Sequence, residues 1–213
     1  MTTTSIKTHR LTFPISAEQA RQVRAGDQVI IDGEIIITAG LPTHERLLKC
    51  LDGEESPPMN LHGASLFHLG GYGREAGNGI ELVYINPTTS TRFNPMMPRL
   101  IEGFGWHAVG GKGGLDDACT QAMQNTGCIY LSFLGGGATL LSRAIKEVIE
   151  VGWSDMLLHY RLTRVRVEGL GPTTVGIDAH GKSLYADHQR AAQARIPDLM
   201  AQLDKARQDS TST

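Results

Sequence analysis

The stretch "HAVGGKGGLDDACTQAMQNTGCIYLSFL", His107 to Leu134, reads as strand, glycine turn, helix and strand in succession. "HAVGG" is a short apolar strand and "LDDACTQAMQ" a helix, while "CIYLSFL" has the continuous apolar character of a buried strand. Strands alternate with helices along the second half of the chain. Such alternation builds an α/β domain, here with a mixed sheet layered against helices.

Working outward, "SAEQARQV" opens with Ser16 and has Gln19 three residues later, a capping box for a short helix ending near Arg24. "GDQVIIDGEIIIT" holds two β-branched runs around "DG", which predicts a hairpin or one bent strand pair. "HERLLKCL", His44 to Leu51, is a helix. "ASLFHLG" and "IELVYI" are strands, and Thr89 to Phe104 is helical, with Pro95 and Pro98 in its first turns or breaking it. "GGGATLLSRAIKEVIEV" predicts a glycine turn feeding an amphipathic helix. "YRLTRVRVE" and "TTVGIDAHG" are two further strands, and a last amphipathic helix covers about Ala186 to Arg207. One domain over residues 11–207 is expected, with polar, frayed ends at 1–10 and 208–213.

The 213 residues carry a net charge of −2, and 40% are hydrophobic. That composition is globular, and the near-neutral balance argues against a nucleic-acid partner. No apolar run approaches the roughly 20 residues that span a bilayer, and the N-terminus has no secretory apolar core. A cytoplasmic protein with no membrane contact is expected. Cys50, Cys119 and Cys128 are odd in number and form no C-x-x-C pair, so they read as buried free thiols. No histidine pair has a ligand spacing, and no metal site of the chain's own is expected.

Two segments point to an anion. "INPTTSTRF", Ile85 to Phe93, sets Thr88, Thr89, Ser90 and Thr91 in a row before Arg92. A hydroxyl-rich turn entering a helix offers donors and free N–H groups, and arginine adds a planar fork for a carboxylate. Its plain alternative is an ordinary helix cap with solvated threonines. Twenty residues after Arg92, Lys112 sits between Gly110–Gly111 and Gly113–Gly114, past the "HAV" strand. Ligands of open α/β sheets bind at that strand end. Glycine, not serine or threonine, follows the lysine, so this is no Walker A loop and a carboxylate is the more natural guest. His44, just past a strand end in "TAGLPTHER", is a candidate proton carrier.

These motifs together resemble the β subunit of the iron–sulfur class I fumarase and L(+)-tartrate dehydratase family, equivalent to the C-terminal domain of single-chain class I fumarases. The resemblance spans about Leu11 to Met200. It rests on Gly26–Asp27, on Thr38 to His44, on "PTTSTR" from Pro87 to Arg92, on "GKGG" from Gly111 to Gly114, on "GGGA" from Gly135 to Ala138, and on "IDAHG" from Ile177 to Gly181. It implies a swivelling β/β/α domain and a hydro-lyase that adds or removes water on a fumarate-, malate- or tartrate-like hydroxy acid. It implies an α subunit carrying a [4Fe–4S] cluster on its own cysteines, with the site closed between the two chains. By the same resemblance, Thr88, Thr89, Ser90, Thr91, Arg92 and Lys112 hold substrate carboxylates, and His44 is the acid/base. A subunit built to close over a partner is expected to expose an apolar or glycine-rich face and to self-associate as a two-fold dimer when alone. Gly40 and Leu41 stand where the family has arginine and aspartate, which leaves the identity of the hydroxy acid open. A non-catalytic small-acid-binding subunit that kept the fold is the alternative reading.

Overall fold

The computed structural model describes residues 6–77 and 79–211. In order they form β1 (Thr8–Phe13), α1 (Ala17–Gln22), β2 (Gln28–Ile37), α2 (Leu41–Leu51), β3 (Ser65–Phe67), β4 (Leu69–Ala76) and β5 (Gly79–Pro87). A 3₁₀ turn, Ser90–Phe93, precedes α3 (Met97–Phe104). Then come β6 (Ala108–Gly111), α4 (Asp117–Thr126), β7 (Ile129–Ser132), α5 (Ala138–Ser142) and β8 (Ile145–Gly152). A second 3₁₀ turn, Leu158–Tyr160, leads to β9 (Leu162–Ile177) and α6 (Leu184–Thr211).

Seven strands join in the order β1-β2-β3-β6-β7-β9-β8, and β2 also pairs with β9. That extra pairing closes β2, β3, β6, β7 and β9 into a ring. The β1–β2, β2–β3, β3–β6 and β6–β7 pairs are parallel, and β9 runs antiparallel to each of its three neighbours. The mixed sheet layered against helices is therefore the architecture of the chain.

Period-2 alternation sorts the strand residues between two cores. Ile35, Ile37, Phe67, Ile129, Leu131 and Val165 face the first, which β5, α1 and α5 help to close. Ile36, Leu66, Val109 and Tyr130 face the second, filled from α2, α3 and α4 by Leu47, Leu100, Ile101, Phe104, Cys119 and Met123. Burying a side chain of this size is worth about 1.5–3 kcal/mol. Both faces of β6 are buried, which explains its uninterrupted apolar sequence.

Several local expectations hold. Ser16 caps α1 with the reciprocal Gln19 bond, and the predicted 89–104 helix breaks at Asn94–Met96 into the 3₁₀ turn and α3. Others are corrected. The "DG" of β2 is not a hairpin: the strand runs unbroken through Gly33, which takes φ +93 at a bulge against β9. A Cβ at Gly33 would lie 2.3 Å from the Phe13 carbonyl oxygen, so β1 can approach only a glycine there. Residues Thr8–Arg10, expected to fray, are held in β1 along β2. The expected amphipathic helix after "GGGA" is the single turn α5 followed by strand β8. The two last strands are one, β9. Helix α6 continues past Arg207 to Thr211, while the frayed ends expected at 1–5 and 212–213 lie outside the described residues.

Candidate functional site

The carboxyl ends of β3 and β6 set the site. His68 follows β3, and its N–H donates to the Gly110 carbonyl at 2.7 Å, while the Thr88 N–H donates to the His68 carbonyl at 2.8 Å. Thr88–Ser90 then lies as a short parallel bridge along Lys112. The Lys112 N–H donates to Thr88 O at 3.0 Å, and the Ser90 N–H donates to Lys112 O at 2.8 Å. This close approach demands Gly111, where a Cβ would meet Ser90 Oγ at 2.3 Å and Thr88 O at 3.0 Å. Gly113 and Gly114 turn the chain away with φ +83 and +79, angles that side-chain-bearing residues rarely adopt.

The bridge aims three groups at one depression. Arg92 donates from Nη2 to Thr88 Oγ1 at 2.6 Å and from Nε to the Thr89 carbonyl at 3.3 Å, with its guanidinium 5.0 Å above the Phe93 ring. A cavity of about 330 Å³ opens beside them, lined among others by Ala39, Gly70, Asn86, Thr88 and Lys112. The glycine turn after β7 abuts the lysine stem, since a Cβ at Gly135 would lie 3.7 Å from Lys112 Cδ. Of the residues expected to bind substrate, Thr88 and Lys112 line the cavity. Arg92 reaches its edge through Thr88, and Thr89 stands at the N-cap position of the 3₁₀ turn behind it, without a side-chain cap bond. Thr91 is exposed on the outer side, and Ser90 is fully buried beneath.

Ser90 belongs to a buried hydrogen-bond chain. Gly114 N lies 3.3 Å from Tyr130 OH, which lies 2.9 Å from Ser90 Oγ. Ser90 Oγ lies 2.8 Å from His68 Nδ1, and His68 Nε2 lies 3.2 Å from His44 Nε2. His44 Nδ1 lies 2.6 Å from the Gly40 carbonyl. The two ends fix its direction. A carbonyl only accepts, so His44 Nδ1 carries a hydrogen. In the neutral ring Nε2 is then an acceptor, so His68 donates from Nε2 and accepts at Nδ1. Ser90 donates to His68 and accepts from the Tyr130 hydroxyl, which accepts from the Gly114 N–H.

The surroundings keep both rings neutral. Desolvation pulls His44 down to about 4, the Gly40 bond opposing this and the nearby Arg92 charge adding to it. His68 is likewise held well below its ordinary value by burial, then by His44 and Arg92. His44 also stacks on Phe93, ring centroids 3.9 Å apart. The expected proton carrier is thus fully buried with both ring nitrogens engaged, and it is not among the residues lining the cavity.

The remaining motifs have structural duties. Asp178 of "IDAHG" accepts from the N–H groups of His180 and Lys182 at 2.9 and 3.0 Å, and from Ala25 at 3.1 Å beside the "GD" turn. Asp27 of that turn binds His9 Nε2 at 2.9 Å and the Arg24 N–H at 3.1 Å. The thiols do not fit an iron–sulfur cluster. Cys119 and Cys128 are buried in the helix-side core, and desolvation pushes both thiols up, as it does that of Cys50. Cluster ligation needs thiolates, which burial disfavours. Among the described residues no group of three or more His, Cys, Asp or Glu converges on a metal-sized site.

A family model described as Fumarase C-terminus matches residues 2–188. The chain is 32% identical over 188 residues to the L(+)-tartrate dehydratase subunit beta of Escherichia coli (strain K12), covering 88% of this chain and 92% of that protein. It is 27% identical to the putative L(+)-tartrate dehydratase subunit beta of Methanocaldococcus jannaschii, covering 87% and 95%. It is 31% identical to the putative fumarate hydratase class I of Geobacillus stearothermophilus, where 87% of this chain matches 35% of the longer protein.

Proposed function

Because this chain belongs to the Fumarase C-terminus family, we propose that it is the β subunit of an iron–sulfur-dependent hydro-lyase acting on a fumarate-, malate- or tartrate-like hydroxy acid. It works as one domain, in the cytoplasm, with an α subunit that carries a [4Fe–4S] cluster. The observation that carries this reading is the Thr88–Lys112 bridge, which brings a lysine, a threonine hydroxyl and the Arg92 guanidinium to the edge of one cavity.

When bound in the partner, the cluster supplies a Lewis acid for the leaving hydroxyl. This chain holds the acid. Elimination beside a carboxylate builds negative charge on that carboxylate, and Lys112, Arg92 and the Thr88 hydroxyl are cations and donors fixed in place before the reaction begins. Thr89 and Thr91 shape the turn that carries Arg92. His44 acts at one remove: through His68 and Ser90 it holds the bridge in register, a positioning role in place of the proton transfer expected from sequence.

The exposed side chains Tyr72, Val83, Tyr84, Leu134 and Leu140 support a closing partner. They lie on β4, on β5 and around the glycine turn after β7, and Tyr72 and Tyr84 line the cavity itself. Without the α subunit, a second copy would cover the same face as a two-fold dimer.

The test is co-expression with the α subunit and an anaerobic assay against L(+)-tartrate, L-malate and fumarate. Lys112→Met removes the charge while nearly keeping the length. It should lower kcat/KM by about 2–4 kcal/mol at an unchanged melting temperature. Near-normal turnover by that variant would place the pocket elsewhere.

A further inference from the structure

Besides Lys112 and Thr88, the cavity wall includes Asn86, Tyr72, Tyr84 and His159, which have no role yet. His159 arrives from a distant stretch, the 3₁₀ turn Leu158–Tyr160. That turn is fastened onto the segment from Thr38 to Thr43. The Ala39 N–H donates to His159 O at 2.9 Å, and Thr38 Oγ1 donates to Tyr160 O at 3.1 Å. The Thr43 hydroxyl donates to the same Tyr160 carbonyl.

Gly40 leaves room for this turn. A Cβ at position 40 would lie 2.2 Å from Thr43 Oγ1, 3.0 Å from Tyr160 Cβ and 3.1 Å from Tyr160 Cα. A side chain at 40 would therefore push on the Thr43 hydroxyl and crowd Tyr160, and the turn would have to give by a few tenths of an ångström. The Tyr160 ring braces the imidazole edge-on, with centroids 4.2 Å apart. Along the cavity wall, Lys112 and His159 are the two ionisable nitrogen groups; the remaining polar side chains offer an amide, phenols and a hydroxyl.

We infer that His159 is a specificity-determining residue: it donates a hydrogen bond to the second carboxylate of a short hydroxy diacid whose first carboxylate sits at Lys112 and Thr88. This rests on the reading of the Lys112–Thr88 cavity as the hydroxy-acid site. An imidazole offers an N–H donor in either protonation state, but only one bond and no bidentate fork. Selection for the second carboxylate is accordingly that of a single charge-assisted bond, about tenfold, or 1.4 kcal/mol.

The experiment compares L(+)-tartrate with D-glycerate, which is tartrate with one carboxylate replaced by hydrogen. Binding of each to the full chain is followed by NMR shift perturbation, a method that reaches weak affinities. Wild type should prefer tartrate about tenfold. His159→Ala should bring that ratio close to unity by weakening tartrate alone, and His159→Arg should restore it. Lys112→Met should weaken both ligands together. If His159→Ala leaves the ratio unchanged while Lys112→Met still weakens both, the role of His159 is overturned and the hydroxy-acid site stands. If Lys112→Met affects neither ligand, or wild type binds neither, the underlying site is overturned and the inference with it.

Discussion

Replacing His44 by asparagine tests whether the buried chain is neutral and directional. In the unfolded chain the ring titrates near 6.5, and in the fold desolvation lowers it to about 4. Between those values the unfolded state binds more protons. Stability is therefore complete above the unfolded value and drains away as pH falls toward the folded one. From these two values the single ring costs the native state about 2.5 kcal/mol between pH 7.5 and 4.5. Burial, the largest cause, still holds His68 down in the variant, and the carboxylates are common to both proteins, so His44 dominates the difference between wild type and variant. Asparagine lacks the ring that stacks on Phe93 and leaves the His68 N–H without its acceptor. At pH 7.5 that should cost about 2–4 kcal/mol. Urea unfolding across the pH range should then show the gap between the two proteins closing by about 2.5 kcal/mol at the acid end. A gap that stays constant with pH would refute the neutral, buried imidazole and the hydrogen-bond direction built on it.

Arg92→Lys keeps the charge but loses the fork that spans Thr88 Oγ1 and the Thr89 carbonyl. In the reconstituted enzyme kcat/KM should fall by about 2–4 kcal/mol. The melting temperature should hold, because the side chain is exposed. Gly111→Ala forces a methyl into Ser90 Oγ and the Thr88 carbonyl, and chemical denaturation should register a loss of about 1–3 kcal/mol. Tyr130→Phe takes one donor out of the chain. It should cost about 1–2 kcal/mol and shift the Gly114 amide resonance, because that N–H loses its acceptor. An unmoved Gly114 signal would remove Tyr130 from the chain.

Where one stretch of chain holds all the information, the sequence was legible. The capping box of α1 needs only Ser16 and Gln19, three residues apart. The βαβ unit around Lys112 needs only its own apolar runs and glycines. Thr88, Arg92 and Lys112 stand out in sequence because a hydroxyl-rich turn and a glycine-flanked lysine have local chemistry that suits an anion, and the fold brings the three to the edge of one cavity. β8 was misread because two bulges against β9, between Ile145 and Glu147 and between Val148 and Glu150, bring an inward residue round every third position. Ile145, Val148 and Val151 then imitate the period of a helix, and only pairing with β9 makes them a strand. The unbroken β2 is a similar case, since its "DG" is a turn signal that an antiparallel partner some 140 residues downstream overrides.

The position of His44 was likewise beyond the sequence. His44 stands near a helix start, where histidines are usually exposed, and burial beneath the bridge comes from Phe93 and His68, both far along the chain. His68 looked like one more residue of an apolar strand. Its partners lie 24, 22 and, through Ser90, a further 40 residues away. His159 carried no signal at all, since its place in the cavity comes from bonds between its turn and Thr38–Thr43, more than a hundred residues earlier. Hydrogen bonds between such distant groups exist only once the sheet has closed, so what each ring donates, accepts or faces was decided by the tertiary structure.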